Sequence, residues 1–205
     1  MSRNYKIRNQ DELYFVTFTV VQWLDVFTRR EYRDILLDSI RYCQQHKGLE
    51  VWGYCVMTSH AHWIFGRHGE PSLEGIIRDI KKYTSVKIIE AIRNNEHESR
   101  RELLLWLFER AGKKNSNNTN YQFWQQHNHP IELNTNYKID QRLEYIHQNP
   151  VVEGIVLSPV DYLYSSAVTM QVFRRSCWIL CFCIETVRHS SPKTASMIGT
   201  SDRAF

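Results

Sequence analysis

Residues 49–66, LEVWGYCVMTSHAHWIFG, decide how the fold is read. Two runs dense in aromatic and β-branched residues, 49–57 and 61–66, are split by the polar pair Thr58-Ser59. Such side chains fit a pleated, buried surface, and a short polar break between two such runs predicts a β-hairpin. Upstream, residues 30–47 place Tyr32, Ile35, Leu36, Ile40 and Cys43 on one helical stripe, and Gly48 closes it. Before that helix, residues 13–21 (LYFVTFTVV) read as a buried strand.

Downstream, Pro71-Ser72 opens a second helical pattern, with Ser72 as N-cap and Leu73, Ile76, Ile77 and Ile80 on one face, running to about Arg93. An apolar patch follows at 103–108, then a low-complexity stretch at 112–120 (GKKNSNNTN) that reads as a loop. Residues 121–133 read as a strand pair or one irregular strand interrupted by Pro130. Asn136 is expected to cap a short helix bearing Ile139, Leu143 and Ile146, and Pro150 to stop it. The order β-α-β-β-α followed by β-α predicts an α+β, ferredoxin-like fold with helices packed on a mainly antiparallel sheet. No internal repeat is visible. Residues 1–169 are expected to form one domain, with 170–205 an atypical tail of close cysteines, Ser and Thr that lacks either period.

The chain has 205 residues, 42% hydrophobic and 23% charged, which suits one soluble globular core. A net charge of +4 is compatible with a polyanionic partner without requiring one. No stretch reaches about 18 apolar residues and no signal-like segment opens the chain, so a cytoplasmic protein is expected. Five Cys, an odd count, point to reduced thiols. Cys177, Cys181 and Cys183 with His189 can be drawn as a zinc site, but their spacing lacks the paired C-x-x-C of such sites.

Two pairs of histidines have ligand spacing. In His60-Ala61-His62, strand alternation sends both imidazoles to one face. His127-Asn128-His129 repeats the pattern, so spacing alone does not choose between them. Context does: His60 and His62 lead into the apolar run Trp63-Ile64-Phe65, which can fix ligand directions, whereas His129 abuts Pro130. On the short helix, Tyr145 and Asn149 lie four apart and share a face. A phenol, with an ordinary pKa near 10, attacks phosphorus only when a metal polarises the phosphate and the proton is removed.

Residues 57–64 (MTSHAHWI) resemble the His-hydrophobic-His (HUH) segment of single-tyrosine transposases, and residues 145–151 (YIHQNPV) resemble the nucleophile helix of their REP-associated branch. Residues 78–85 (RDIKKYTS) and 161–167 (DYLYSSA) fit the same family in the same order, so the resemblance spans about residues 13–167. It implies His60, His62 and Asn149 as metal ligands, Mg²⁺ or Mn²⁺ as the metal, and Tyr145 as the catalytic nucleophile. Two imidazoles are an unusual set for hard Mg²⁺, which favours Mn²⁺ in vitro. The implied activity is transposase cleavage and rejoining of single-stranded DNA at hairpin-forming repeats, through a 5′-phosphotyrosine. The absence of a G-x-x-x-x-G-K-[ST] loop agrees with chemistry that consumes no nucleotide. Arg78, Lys81, Lys82 and Lys87 are expected on DNA phosphates, and Tyr121, Phe123 and Trp124 either on unpaired bases or in the core. A catalytically silent nucleic-acid binder on the same scaffold is the alternative, and whether two copies pair as a homodimer stays open.

Overall fold

The computed structural model describes residues 6–115 and 120–172. Four strands, β1 (Leu13–Thr19), β2 (Leu49–Val56), β3 (His60–Arg67) and β4 (Ile131–Leu133), form one sheet in the order β2-β3-β1-β4, every neighbouring pair antiparallel. Helices α1 (Arg30–Lys47), α2 (Leu73–Asn94), α3 (Arg101–Lys113), α4 (Asn136–Val152) and α5 (Ala167–Val172) complete the described chain. This is the expected ferredoxin-like α+β arrangement, with α3 inserted between α2 and β4.

Strand alternation divides the core in two. Tyr14, Val16, Phe18, Trp63 and Phe65 point to one face, where Leu36 and Ile40 of α1 and Ile76, Ile77 and Ile80 of α2 close over them. Phe15 and Ile64 point to the other, where Ile146 of α4 packs with Leu133, Cys55 and Tyr162. His62 lies between Ala61 and Trp63 in β3, so it belongs to this second face, the one that α4 covers.

Local signals set most boundaries. Gly48 caps α1 in the left-handed region (φ 67°), and a Cβ there would collide with the His68 carbonyl oxygen. Ser72 caps α2 by accepting from the Gly75 N–H. Gly53, beside a register shift in β2, lets α4 approach closely, because a Cβ there would meet Leu143 at 2.5 Å.

Four readings change. The apolar patch at 103–108 is the middle of α3, buried through Leu104 and Phe108. Residues 121–133 form only the three-residue β4 plus a bridge between Val20 and Trp124, since Gln125 N–H to Thr19 and Thr17 N–H to Asn128 make irregular bonds along β1. Thr135 rather than Asn136 caps α4, accepting from the Lys138 N–H. Pro150 does not stop α4, which continues to Val152 with Pro150 buried inside its last turn. Packing of that ring offsets the one helical hydrogen bond that proline removes.

Helix α5 runs across Thr169, the expected end of the domain. Residues 116–119 of the low-complexity loop and the tail from residue 173, with Cys177, Cys181, Cys183 and His189, lie outside the described residues. Cys43 and Cys55 are buried free thiols. Among the described residues no helix is long and apolar enough to cross a membrane.

Candidate active site

The two histidines of β3 meet the tyrosine of α4. The ring centroids of His60 and His62 are 4.8 Å apart, and that of Tyr145 is 5.3 Å from His62. Phe15 completes the cluster from β1, stacked on His62 at 5.4 Å and edge-on to Tyr145 at 5.9 Å. His62 is only 5% exposed, whereas Tyr145 is 46% exposed, so a buried imidazole sits beside an accessible phenol.

Burial keeps both imidazoles neutral. It lowers the His60 pKa, against opposing pulls from Glu153 and Asp25, and pushes His62 down to about 3 with help from His60 and Arg142. His62 Nδ1 is 3.0 Å from Thr17 Oγ1, and His60 Nδ1 is 3.2 Å from Ser59 Oγ. If each Nδ1 carries the proton and donates to its hydroxyl, each Nε2 lone pair is free for a metal. The buried Nε2 of His62 has no hydrogen-bond partner, a costly state in a core unless another ligand completes it. Two neutral imidazoles with one orphaned nitrogen suit a transition ion, Mn²⁺ included, better than Mg²⁺. Asn149 stands one turn beyond Tyr145, its Nδ2 donating to the Tyr145 carbonyl at 2.8 Å. That bond turns the amide back along the helix and leaves Oδ1 as the atom that can ligate.

Helix α4 is itself held in place. His147, on α4 between Tyr145 and Asn149, has Nε2 2.9 Å from Ser166 Oγ, and burial lowers its pKa to about 4. Ser166 Oγ accepts from the Tyr54 N–H of β2, the Ser166 N–H donates to the Tyr54 carbonyl, and the Tyr162 hydroxyl donates to the Val56 carbonyl at 2.7 Å. The 161–167 segment is thus a clamp along the outer edge of β2, and α4 is tied to it.

Not every predicted site residue joins the cluster. Helix α2 covers the opposite face of the sheet, so Arg78, Lys82 and Lys87 are remote from the histidines. Arg78 approaches Asp79 (3.7 Å), Lys87 pairs with Glu90 (2.9 Å), and Lys82 is exposed. Lys81 turns inward. Its ammonium donates to the Gln125 carbonyl and to Asn128 Oδ1 and lies over the Phe18 and Trp124 rings, and burial lowers its pKa to about 7. Phe123 and Trp124 are core residues, 1% and 5% exposed, and the Trp124 N–H donates to Thr84. His127 and His129 have ring centroids 5.9 Å apart on the irregular 121–130 segment, where His129 takes a positive φ.

Two neighbours escaped the sequence reading. Arg142 places its guanidinium 5.8 Å from the Tyr145 ring centroid and 5.0 Å from that of Phe15. Its spacing three residues before Tyr145 on one helix was the available signal. Trp23, whose ring centroid is 5.3 Å from that of His60, had none, because only the tertiary fold brings them together.

Residues 13–107, from β1 into α3, match the family model described as "Transposase IS200 like". That stretch, somewhat under half of the chain, is similar to the IS200-like transposase family. Among solved structures it is similar to a REP-associated tyrosine transposase bound to a REP hairpin, at 16% identity and a TM-score of 0.62, covering 91% of this chain and 96% of that one. At that identity the likeness shows the fold. A transposase candidate from Deinococcus radiodurans R1 aligns at 16% identity and a TM-score of 0.40 over 72% of this chain and 95% of its own. No curated protein matches. The matched region of the family model contains both β3 histidines and ends before α4.

Proposed function

We propose that this protein is a transposase that cleaves and rejoins single-stranded DNA through a covalent bond from Tyr145 to a 5′-phosphate, at hairpin-forming repeats like the one bound by its REP-associated structural relative. The observation that supports it most is the accessible phenol 5.3 Å, ring to ring, from an imidazole whose buried Nε2 lacks a partner. His60 and His62, with Asn149 Oδ1, are the residues that would hold Mn²⁺ or Mg²⁺. When bound, the ion supplies positive charge to the non-bridging oxygens of the scissile phosphate.

The chain's own residues do the rest. Tyr145 Oη bonds to phosphorus as the P–O3′ bond breaks; the phenol loses its proton and the departing O3′ gains one. Arg142, alongside the phenol ring, offers a fixed cation to the phosphate as it is attacked. Because α4 carries nucleophile, guanidinium and amide, the clamp on His147 presets their spacing. Attack by another strand's 3′-hydroxyl on the phosphotyrosine reverses the step and joins the strands, so no nucleotide is consumed.

The test uses end-labelled single-stranded hairpin oligonucleotides with Mn²⁺, followed by denaturing electrophoresis. Wild type should retain label and Tyr145→Phe none, with the melting temperature of the variant little changed because the phenol is half exposed. Mn²⁺ titrations should show binding lost in His62→Ala and His60→Ala and kept in His127→Ala. Label on Tyr145→Phe would move the nucleophile elsewhere, and wild type that binds the hairpins yet never becomes labelled would make the chain a silent binder.

A further inference from the structure

Between β1 and α1 the chain makes a turn whose geometry folding alone does not favour. Gln22 (φ 57°, ψ 19°) and Trp23 (φ 56°) both adopt the left-handed region, where non-glycine side chains are strained. Trp23 is also 59% exposed, so the largest apolar side chain is spent on strained backbone without being buried. Strain of this kind persists only where the surroundings enforce it, and it concentrates at functional sites. The surroundings here do enforce it. The Val20 N–H donates to the Ser59 carbonyl, the Phe27 N–H to the Thr58 carbonyl and the Val21 N–H to the Phe123 carbonyl, while Val21, Val26 and Phe27 are buried on either side. The turn is therefore bonded to the hairpin corner that carries His60, and it sets the indole at 72° to that imidazole with ring centroids 5.3 Å apart.

We infer that Trp23 is a base-stacking platform, holding an unpaired base of the DNA strand next to the phosphate that Tyr145 attacks. This rests on the function proposed above and names one of its binding subsites. An indole projecting into solvent beside a ligand histidine suits a nucleobase, because every base has a π-face and stacking on aromatic side chains is how single strands are gripped without sequence readout. Duplex DNA keeps its bases stacked on one another and leaves no face for the indole. Trp23 thus gives the site a preference for unpaired DNA, and the order of rings, Trp23, His60, His62, Tyr145, sets the stacked base on the far side of the histidines from the nucleophile.

The test is binding of dT12 and of a 12-base-pair dA·dT duplex, measured by fluorescence anisotropy in EDTA so that metal plays no part. Trp23→Ala should weaken dT12 binding by about 5- to 100-fold, the range that one lost stack gives, and leave the duplex nearly unaffected. Trp23→Phe should stay within about threefold of wild type. Addition of dT12 should quench part of the wild-type tryptophan emission, and that part should be missing in Trp23→Phe, a readout available even if Trp23→Ala folds poorly. Unchanged dT12 affinity in Trp23→Ala, or equal losses for dT12 and duplex, would overturn the inference. So would quenching that survives in Trp23→Phe. These results are independent of covalent labelling: wild type that grips dT12 through Trp23 yet forms no phosphotyrosine refutes the proposed catalysis and leaves the platform standing.

Discussion

The imidazoles of His62 and His147 are buried and neutral far below the pH at which a free histidine charges, and that difference makes stability depend on pH. Burial holds His62 at about 3 and His147 at about 4, whereas both return to about 6.5 in the unfolded chain. Below pH 6.5 the unfolded state therefore binds more protons than the folded one, so stability is whole above 6.5 and declines as pH falls toward the folded values. Each such histidine adds a slope of up to about 1.4 kcal/mol per pH unit. His147→Gln keeps a polar atom near Ser166 but cannot titrate, so its slope between pH 6 and pH 5 should be shallower than wild type by close to one proton. Urea unfolding at pH 7.5, 6 and 5 in EDTA measures this, and parallel pH curves for the two proteins would show that His147 is charged in the fold. The same burial would keep the His62 imidazole unprotonated, and so free to bind a metal, in mildly acidic solution where free histidine is already protonated.

Helix α4 is the element on which the site depends, and Ser166 is its most telling contact. Ser166 is fully buried and meets both His147 and the backbone of Tyr54. Ser166→Ala leaves His147 Nε2 and the Tyr54 N–H without their partner, which should cost about 1–3 kcal/mol in urea unfolding. It should also slow covalent labelling more than it weakens DNA binding, because α4 would be freer to shift Tyr145. Wild-type stability in Ser166→Ala would mean that the clamp is incidental. The helices and strands with sustained periodicity, such as α1 with its glycine cap and α2 with its serine cap, were legible in the sequence to within a residue or two. Where tertiary contacts override local preference they were not. Residues 121–130 take their path from bonds to Thr17, Thr19 and Lys81 rather than from any period. Pro150 reads as a stop because the ring's burial cannot be seen from the sequence. The β3 histidine pair was legible because strand alternation is local, but the hydroxyls of Thr17 and Ser59, the guanidinium of Arg142 and the indole of Trp23 reach it through packing.

At the scale of the whole molecule the sheet separates two groups of residues. Its α4 face carries the histidines, Tyr145 and Arg142, and its other face carries α2 with Arg78, Lys82 and Lys87. A hairpin is long enough to touch more than one surface, so phosphate contacts on α2 would add affinity without entering the chemistry. Lys82→Ala should then lower the slope of log affinity against log salt by roughly 1, and Arg78→Ala likewise, while the rate of covalent labelling at saturating hairpin stays at the wild-type value. In kinetic terms KM rises and kcat holds, the pattern of lost uniform binding. Lys87 is paired with Glu90, so its replacement should change the slope less. Lys81 is the internal contrast. Its ammonium is bonded to Gln125 and Asn128 inside the fold, and Lys81→Ala should leave the salt slope alone and instead lower the melting temperature by loosening the 121–130 segment from β1. Anisotropy titrations of one hairpin between 50 mM and 300 mM salt, beside single-turnover labelling, read both quantities. If Lys82→Ala and Arg78→Ala keep the wild-type slope, the outer face of α2 is a solvated helix surface and the hairpin is held on the α4 side; if they slow labelling at saturation, the two faces are coupled.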